Sequence, residues 1–112
     1  MSITTHVLDT SIGKPAAGVP IKLEIRNEDG SWEPRGDGVT DADGRLRTLL
    51  EDAAFSIGTW RISFDTYAYF TAQKVEHFYP EVSIVFVVRD AAAHFHVPLL
   101  LSPFGFSSYR GS

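Results

Sequence analysis

The feature that most constrains the fold of this chain is a period of two in its apolar residues. From 19 to 25 every second residue is valine, isoleucine or leucine, and the residues between them are proline, lysine and glutamate. Because successive side chains of a β-strand point to opposite faces, this alternation predicts strands with one buried face. It recurs at 60–64 and 82–88, and turn sequences that contain aspartate separate the runs, at 27–30, 41–44 and 89–90. The pattern favours a two-sheet β-sandwich.

One segment, 51–58, is predicted to be helical. It starts with two acidic residues, which complement the helix dipole, and ends at Gly58. A helix of about two turns is too short to be stable without packing on the β-core. With 112 residues, 44% of them hydrophobic, the chain suits a single domain over 1–112. We therefore expect an all-β domain with one short α-helix.

Composition excludes several partners. The 10 basic residues are scattered and the net charge is −4, so neither a nucleic acid nor an anionic membrane surface has a matching patch. No apolar stretch approaches the roughly 18 residues that a membrane helix needs, and the first residues do not resemble a secretion signal. The absence of cysteine excludes disulfides and thiolate chemistry. We expect a cytoplasmic protein.

Two histidines lie on one face of a predicted C-terminal strand. By parity the core face is Phe95, Val97, Leu99 and Leu101, and the opposite face is His94, His96, Pro98 and Leu100. Histidine among apolar residues is typical of a pocket wall or a subunit contact rather than a solvent face. Pro98 favours an edge strand, or a position whose nitrogen points away from the neighbouring strand. Near the N-terminus, His6 lies on a second predicted strand, on the face of Thr4 and Leu8.

Four segments carry a resemblance to a known family. They are Thr5-His6-Val7-Leu8-Asp9, Thr40-Asp41-Ala42-Asp43-Gly44-Arg45, His77-Phe78-Tyr79-Pro80-Glu81-Val82, and the tail from His94 to Pro103 that ends in Tyr109-Arg110-Gly111-Ser112. In this order they resemble the 5-hydroxyisourate hydrolases, the enzyme branch of the transthyretin-like family. The closing Tyr-Arg-Gly-Ser is the most specific part, because the hormone-carrying branch lacks it.

The resemblance implies a site and an assembly. The implied catalytic residues are His6, Arg45 and His96, and the implied substrate-binding residues are Tyr109, Arg110, Gly111 and Ser112. It implies no cofactor and no metal, a purine-derived substrate, and a homotetramer. In that tetramer two edge-to-edge dimers meet face to face, with the active sites at the dimer–dimer interface. Three residues depart from the family pattern. Phe95 and Phe106 stand where tyrosine is usual, and Ser108 stands where threonine is usual. None of these changes removes a group to which the resemblance assigns a chemical role.

The implied reaction is attack of water on a ring carbonyl of 5-hydroxyisourate, which opens the six-membered ring to 2-oxo-4-hydroxy-4-carboxy-5-ureidoimidazoline. A histidine that titrates near neutrality can take a proton from water and return one to the departing nitrogen, and either His6 or His96 could do so. Arg45 could stabilise the negative charge that develops on the carbonyl oxygen.

Other interpretations remain open at the level of sequence. His94 and His96 could form a metal pair, although no further ligand lies at a recognisable spacing. Arg47 shares the parity of Arg45, so a register error would exchange their roles. The chain could instead be a non-catalytic carrier, but that branch of the family has lysine, glutamate and threonine where His6, Arg45 and His96 stand. An adhesion or carbohydrate-binding sandwich would leave the polar terminus unexplained.

Overall fold

The computed structural model describes residues 2–50 and 55–111, and within them it has nine strands and one helix. The first five strands are β1 (Ser2–Asp9), β2 (Lys14–Pro15), β3 (Pro20–Arg26), β4 (Trp32–Val39) and β5 (Arg45–Leu46). They are followed by β6 (Gly58–Phe64), the helix α1 (Thr66–Ala72), β7 (Val82–Val88), β8 (His94–Ser102) and β9 (Gly105–Ser108).

The strands form two sheets, as the alternation predicts. One sheet has the order β2-β1-β8-β9, and β5 also pairs with β1; the other has the order β4-β3-β6-β7. Strands β1 and β8 run parallel over the whole length of β1, and the remaining strand pairs are antiparallel. The two-sheet β-sandwich is confirmed.

The core lies between the sheets and is built from the inward face of each strand. Trp60 and Phe64 of β6 are fully buried, and the indole of Trp60 donates to the carbonyl of Ser56 at 3.0 Å, so its polar atom is satisfied. The predicted core face of β8 is buried at all four positions, Phe95, Val97, Leu99 and Leu101. On the opposite face His94 is exposed and His96 is half-buried.

The helix lies elsewhere than the sequence pattern predicts. Of the segment 51–58, residues 51–54 lie outside the described residues, 55–57 are not helical and Gly58 begins β6. The helix is α1, whose N-terminus is capped by the Asp65 carboxylate accepting from the Ala68 amide at 2.9 Å. It buries Thr66, Tyr69 and Phe70 at spacings of three and four. Its aromatic and β-branched residues have a weak helix preference, so tertiary packing stabilises it. Within the described residues, no helix has the length and apolarity to cross a bilayer.

Of the two alternatives predicted for Pro98, an edge strand or a nitrogen that points away from the neighbouring strand, the edge strand is wrong. Strand β8 is an inner strand, with β1 on one side and β9 on the other. The pairing of β8 with β9 ends at Leu99 and Ser108. Beyond that point the C-terminal segment pairs with β8 again only through an isolated bridge between His96 and Gly111. Pro98 therefore lies where the ladder on that side is interrupted, and there a missing amide costs no strand hydrogen bond.

Candidate active site

Three of the predicted site residues come from adjacent strands and share one face of the first sheet. His6 on β1 is the direct partner of Arg45 on β5, and Thr4 on β1 is the direct partner of His96 on β8. Paired residues in a sheet point to the same side, with Cβ atoms about 4.5–5.5 Å apart in an antiparallel pair. Because Thr4 and His6 are two residues apart on β1, all of these side chains point to the face opposite the core.

A tight turn before β5 fixes Arg45 in this position. Gly44 has φ +74°, and its carbonyl accepts from the Val7 amide at 2.7 Å. A Cβ on Gly44 would collide with the Val7 carbonyl oxygen, so glycine is required for this close approach. The Asp41 carboxylate also holds the turn, accepting from the amides of Asp43 and Arg45 at 2.8 and 3.1 Å. Donation by the Arg45 amide is the main cause that lowers the pKa of Asp41.

Arg47 is not equivalent to Arg45. Strand β5 ends at Leu46, and the guanidinium of Arg47 pairs with the Asp41 carboxylate at 3.2 Å while its side chain remains 65% exposed. Only Arg45 is in register with His6. The structure therefore resolves the ambiguity of register in favour of Arg45.

His96 is the member of the cluster on β8, and it is hydrogen-bonded to β1. Its Nδ1 is 2.9 Å from the Thr4 hydroxyl oxygen, which leaves Nε2 for another partner. Burial, and after it the charges on Arg45, His94 and His6, lower the pKa of His96 below its ordinary value. The lowered pKa favours the neutral imidazole, the state in which a histidine can accept a proton.

The C-terminal segment packs directly against His96. The Gly111 amide donates to the His96 carbonyl at 2.8 Å, and a Cβ on Gly111 would lie only 2.5 Å from His96 Cδ2. Arg110 stacks over the Phe95 ring at 4.7 Å, while Tyr109 is 59% exposed. Ser112 lies outside the described residues. The structure thus brings Gly111 to His96 and leaves the Tyr109 side chain open to a ligand or a neighbouring chain.

A cleft of about 270 Å³ opens beside this segment, between the edge strand β7 and the first half of β8. His96, Tyr109 and Arg110 line it together with apolar residues that include Ile84 and Phe86. Its lining includes neither His6 nor Arg45. The cleft is therefore adjacent to the shared face rather than over it, and on that face His6, Arg45 and His96 are half-buried in the single chain.

Sequence reasoning missed one residue of the cluster, Thr4. Its hydroxyl lies between two imidazoles, 2.9 Å from His96 Nδ1 and 3.1 Å from His94 Nε2. The available signal was parity, since Thr4 shares the face of His6. His94 and His96 are nearly parallel, with ring centroids 6.5 Å apart. Among residues 2–50 and 55–111, no three histidine, aspartate or glutamate side chains lie together so that they could hold a metal ion.

Taken together, the two sheets and the histidine–arginine face define a transthyretin-like β-sandwich. The chain belongs to the HIUase/Transthyretin family, whose model matches residues 3–111.

Relatives in this family include enzymes from distant organisms. A probable 5-hydroxyisourate hydrolase of Caenorhabditis elegans is 47% identical over 111 residues, covering 99% of this chain and 82% of the relative. The 5-hydroxyisourate hydrolase of Mus musculus is 40% identical over 111 residues, covering 98% of this chain and 94% of the relative.

Solved structures from both branches superimpose well on this fold. Transthyretin from Sparus aurata matches with a TM-score of 0.93 and 34% identity, covering 97% of this chain and 95% of the other. Klebsiella pneumoniae 5-hydroxyisourate hydrolase matches with a TM-score of 0.85 and 35% identity, covering 98% of each chain. The backbone fold alone therefore does not distinguish a carrier from an enzyme. The distinction depends on the side chains of the site.

Proposed function

We propose that this chain, acting as one domain over 1–112, hydrolyses 5-hydroxyisourate in urate degradation. The observation that carries the proposal is the common face of His6, Arg45 and His96 on three adjacent strands. The names of the nematode and mouse relatives support an enzyme rather than a carrier.

The first step is deprotonation of the attacking water. His96 is the base that the geometry favours, because its pKa is lowered by burial and by Arg45, and because Thr4 holds its Nδ1. The free Nε2 accepts the proton while the water oxygen bonds to the carbonyl carbon. His6, two residues from Thr4 on the same face, is the second proton-transfer group and would bind or protonate the substrate.

The second step is collapse of the tetrahedral intermediate. Its negative oxygen is stabilised by Arg45, which stays charged and offers several donors in a fixed plane. The ring carbon–nitrogen bond then breaks, and a histidine returns a proton to the departing nitrogen. Water supplies the hydroxyl of the new carboxyl group, so the reaction needs no cofactor.

The terminal residues Tyr109, Arg110, Gly111 and Ser112 are proposed to bind the substrate. The contact of Gly111 with His96 supports this, because it holds the segment at the edge of the catalytic face. The phenol of Tyr109 and the guanidinium of Arg110 offer donors for the ring oxygens and nitrogens.

We also propose a homotetramer, a dimer of dimers, with the active sites at the dimer–dimer interface. Two observations support it. His6, Arg45 and His96 are only half-buried in one chain, whereas hydrolysis by a single activated water favours a site closed to bulk solvent. The edge strand β7 also exposes Val85 and Val87, at 55% and 44%, which suits edge-to-edge pairing.

The assembly has its own test, a mass measurement in solution combined with activity per chain on dilution. A tetramer whose activity falls as it dissociates supports the shared site. A fully active monomer contradicts it.

The activity is tested by generating 5-hydroxyisourate from urate with urate oxidase and following its decay by ultraviolet absorbance. We expect His6→Ala and His96→Ala each to lower turnover by about 10²–10⁴-fold. Arg45→Ala should cost about 10²–10³-fold, as does the loss of an oxyanion donor elsewhere. The matched control is Arg47→Ala, which removes a solvent-exposed guanidinium close by and should keep near-normal turnover. Near-normal turnover in both histidine variants would contradict the assignment.

Removal of residues 109–112 separates the enzyme from a carrier. A hydrolase should lose turnover with its terminal segment, whereas a carrier should retain binding of its small ligand. Full turnover by the truncated chain would refute the role of this segment.

A further inference from the structure

A row of hydrogen bonds runs from His96 along the seam between β1 and β8 to the end of the sheet. The register pairs Ser2 with His94 and Thr4 with His96, so four polar side chains alternate between the two strands on one face. The Thr4 hydroxyl lies 2.9 Å from His96 Nδ1 and 3.1 Å from His94 Nε2. The Ser2 hydroxyl lies 2.5 Å from His94 Nδ1.

Proton counting couples these groups. The Thr4 hydroxyl has one hydrogen, so it donates to at most one imidazole, and when it does so it accepts from the other. With both rings neutral and the Thr4 hydrogen used within the row, the bonds on the two sides of Thr4 point in the same direction, and His94, with one donor and one acceptor nitrogen, extends that direction to Ser2. If the row points towards His96, Thr4 donates to Nδ1 and the His96 proton is on Nε2. If it points outward, His96 Nδ1 donates to Thr4 and Nε2 carries the lone pair of a base.

We propose that Thr4 is a positioning residue that sets the tautomer of His96 and, together with His94 and Ser2, relays protons between His96 and bulk water. After His96 Nε2 takes a proton, Nδ1 passes one to Thr4, Thr4 passes its own to His94 Nε2, and His94 Nδ1 passes one to Ser2. Ser2 then releases its original proton to water. Each group gives up one proton for each that it accepts, and the row reverses its direction.

The surroundings of His96 explain why such a relay is useful. The titratable and charged groups that act on it are Arg45 on β5, His6 on β1 and His94 on β8. A second positive charge beside Arg45 is unfavourable, so a protonated His96 gains from discharging its extra proton. His94 is exposed, so water reaches the outer end of the row.

The neighbouring residue Thr5 provides a matched control. Its hydroxyl also bonds to β8, donating to the Val97 carbonyl at 2.6 Å, but on the buried face. Thr5→Val therefore tests the cost of losing a hydroxyl between the same two strands, with no imidazole involved. Thr4→Val removes the relay, and Thr4→Ser retains a hydroxyl at its position.

The proposal rests on the proposed function, but its first readout needs no substrate. Nitrogen-15 NMR of the histidine side chains reports which ring nitrogen carries the proton. We expect Thr4→Val to change the tautomer populations of His96, Thr4→Ser to restore them, and Thr5→Val to leave them unchanged. His94→Ala, at an exposed position that should not affect folding, cuts the row beyond Thr4 and should also change the populations.

The second readout is kinetic. We expect Thr4→Val to lower kcat by about tenfold with little change in KM, and to shift the pH profile, because an imidazole loses one orienting hydrogen bond. Wild-type tautomers and pH profiles in both Thr4→Val and His94→Ala would overturn the relay. If Thr4→Val alters the tautomers of His96 but His96→Ala keeps full turnover, the relay stands and the proposed catalytic role of His96 is refuted. The two failures are therefore distinguishable.

Discussion

Gly111 gives the sharpest test of the candidate site, because one added methyl group should damage catalysis far more than stability. The residue is in the tail, yet an ideal Cβ there would lie 2.5 Å from His96 Cδ2 and 3.2 Å from Cγ. Carbon atoms pack best at about 3.5–4.0 Å, so the methyl group and the ring must separate by about 1 Å. Gly111 is not among the glycines with a positive φ, so alanine introduces no backbone strain.

The magnitudes follow from this displacement. If the tail moves outward, it loses the hydrogen bond from the Gly111 amide to the His96 carbonyl, which is worth about 1 kcal/mol. If the ring moves instead, the base is displaced from its substrate. A misplacement of about 1 Å in an active site can cost about 10²-fold, equivalent to about 2.7 kcal/mol in activation free energy. We therefore expect Gly111→Ala to lower kcat/KM by about 10²-fold while the free energy of unfolding falls by about 1 kcal/mol or less.

The assay is the ultraviolet decay of 5-hydroxyisourate, with a thermal or urea unfolding curve on the same sample. Gly105→Ala is the matched control, because its Cβ would meet only Ser102 Oγ at 3.7 Å, an ordinary contact. Wild-type kcat/KM in Gly111→Ala would refute the reasoning, as would an equal loss in both variants.

Three further predictions concern stability and pH. Tyr69→Phe removes the hydroxyl that donates to the buried Asp9 carboxylate at 2.7 Å and should cost about 1–3 kcal/mol of unfolding free energy without loss of turnover. Gly44→Ala should cost about 2 kcal/mol or more and also lower kcat/KM, because the new methyl group meets the Val7 carbonyl at a positive φ and the turn that holds Arg45 must shift. The acid limb of kcat/KM should have its midpoint below 6.5, because burial lowers the pKa of His96. The same shift favours the neutral His96 ring in the folded state. The contribution of His96 to the free energy of unfolding is therefore complete above pH 6.5 and is lost as the pH falls from 6.5 towards the lowered pKa.

Each of these predictions has a control variant whose result could contradict it. Tyr67→Phe changes a 57% exposed tyrosine on the same helix and should leave the unfolding midpoint unchanged. Gly30→Ala also places a side chain at a positive φ, +87°, but meets nothing within 4 Å, so it should cost stability without affecting turnover. An acid limb that has the same midpoint in His96→Ala as in the wild-type protein would mean that another group titrates there.

The strand pattern of the sandwich was predictable because alternation is a local property. A residue two positions along a strand returns to the same face whatever the strand pairs with, so the buried face of β8 could be assigned in advance. The helix could not be assigned in this way. Most of its seven residues are aromatic or β-branched and have a weak helix preference, so capping by Asp65 and packing in the core stabilise it. The edge prediction at Pro98 failed because a proline is also tolerated on an inner strand where a ladder is interrupted.

For the site, the sequence by itself determined which side chains share a face within a strand: Thr4 with His6, and His94 with His96. It also supplied the terminal motif that pointed to a hydrolase. Only the tertiary structure decided that β5, β1 and β8 are neighbours, that Arg45 rather than Arg47 faces His6, and that Gly111 packs on the His96 ring. The physical reason is that side-chain parity comes from the backbone of one strand, whereas register and neighbours depend on contacts between residues as far apart as 4 and 96.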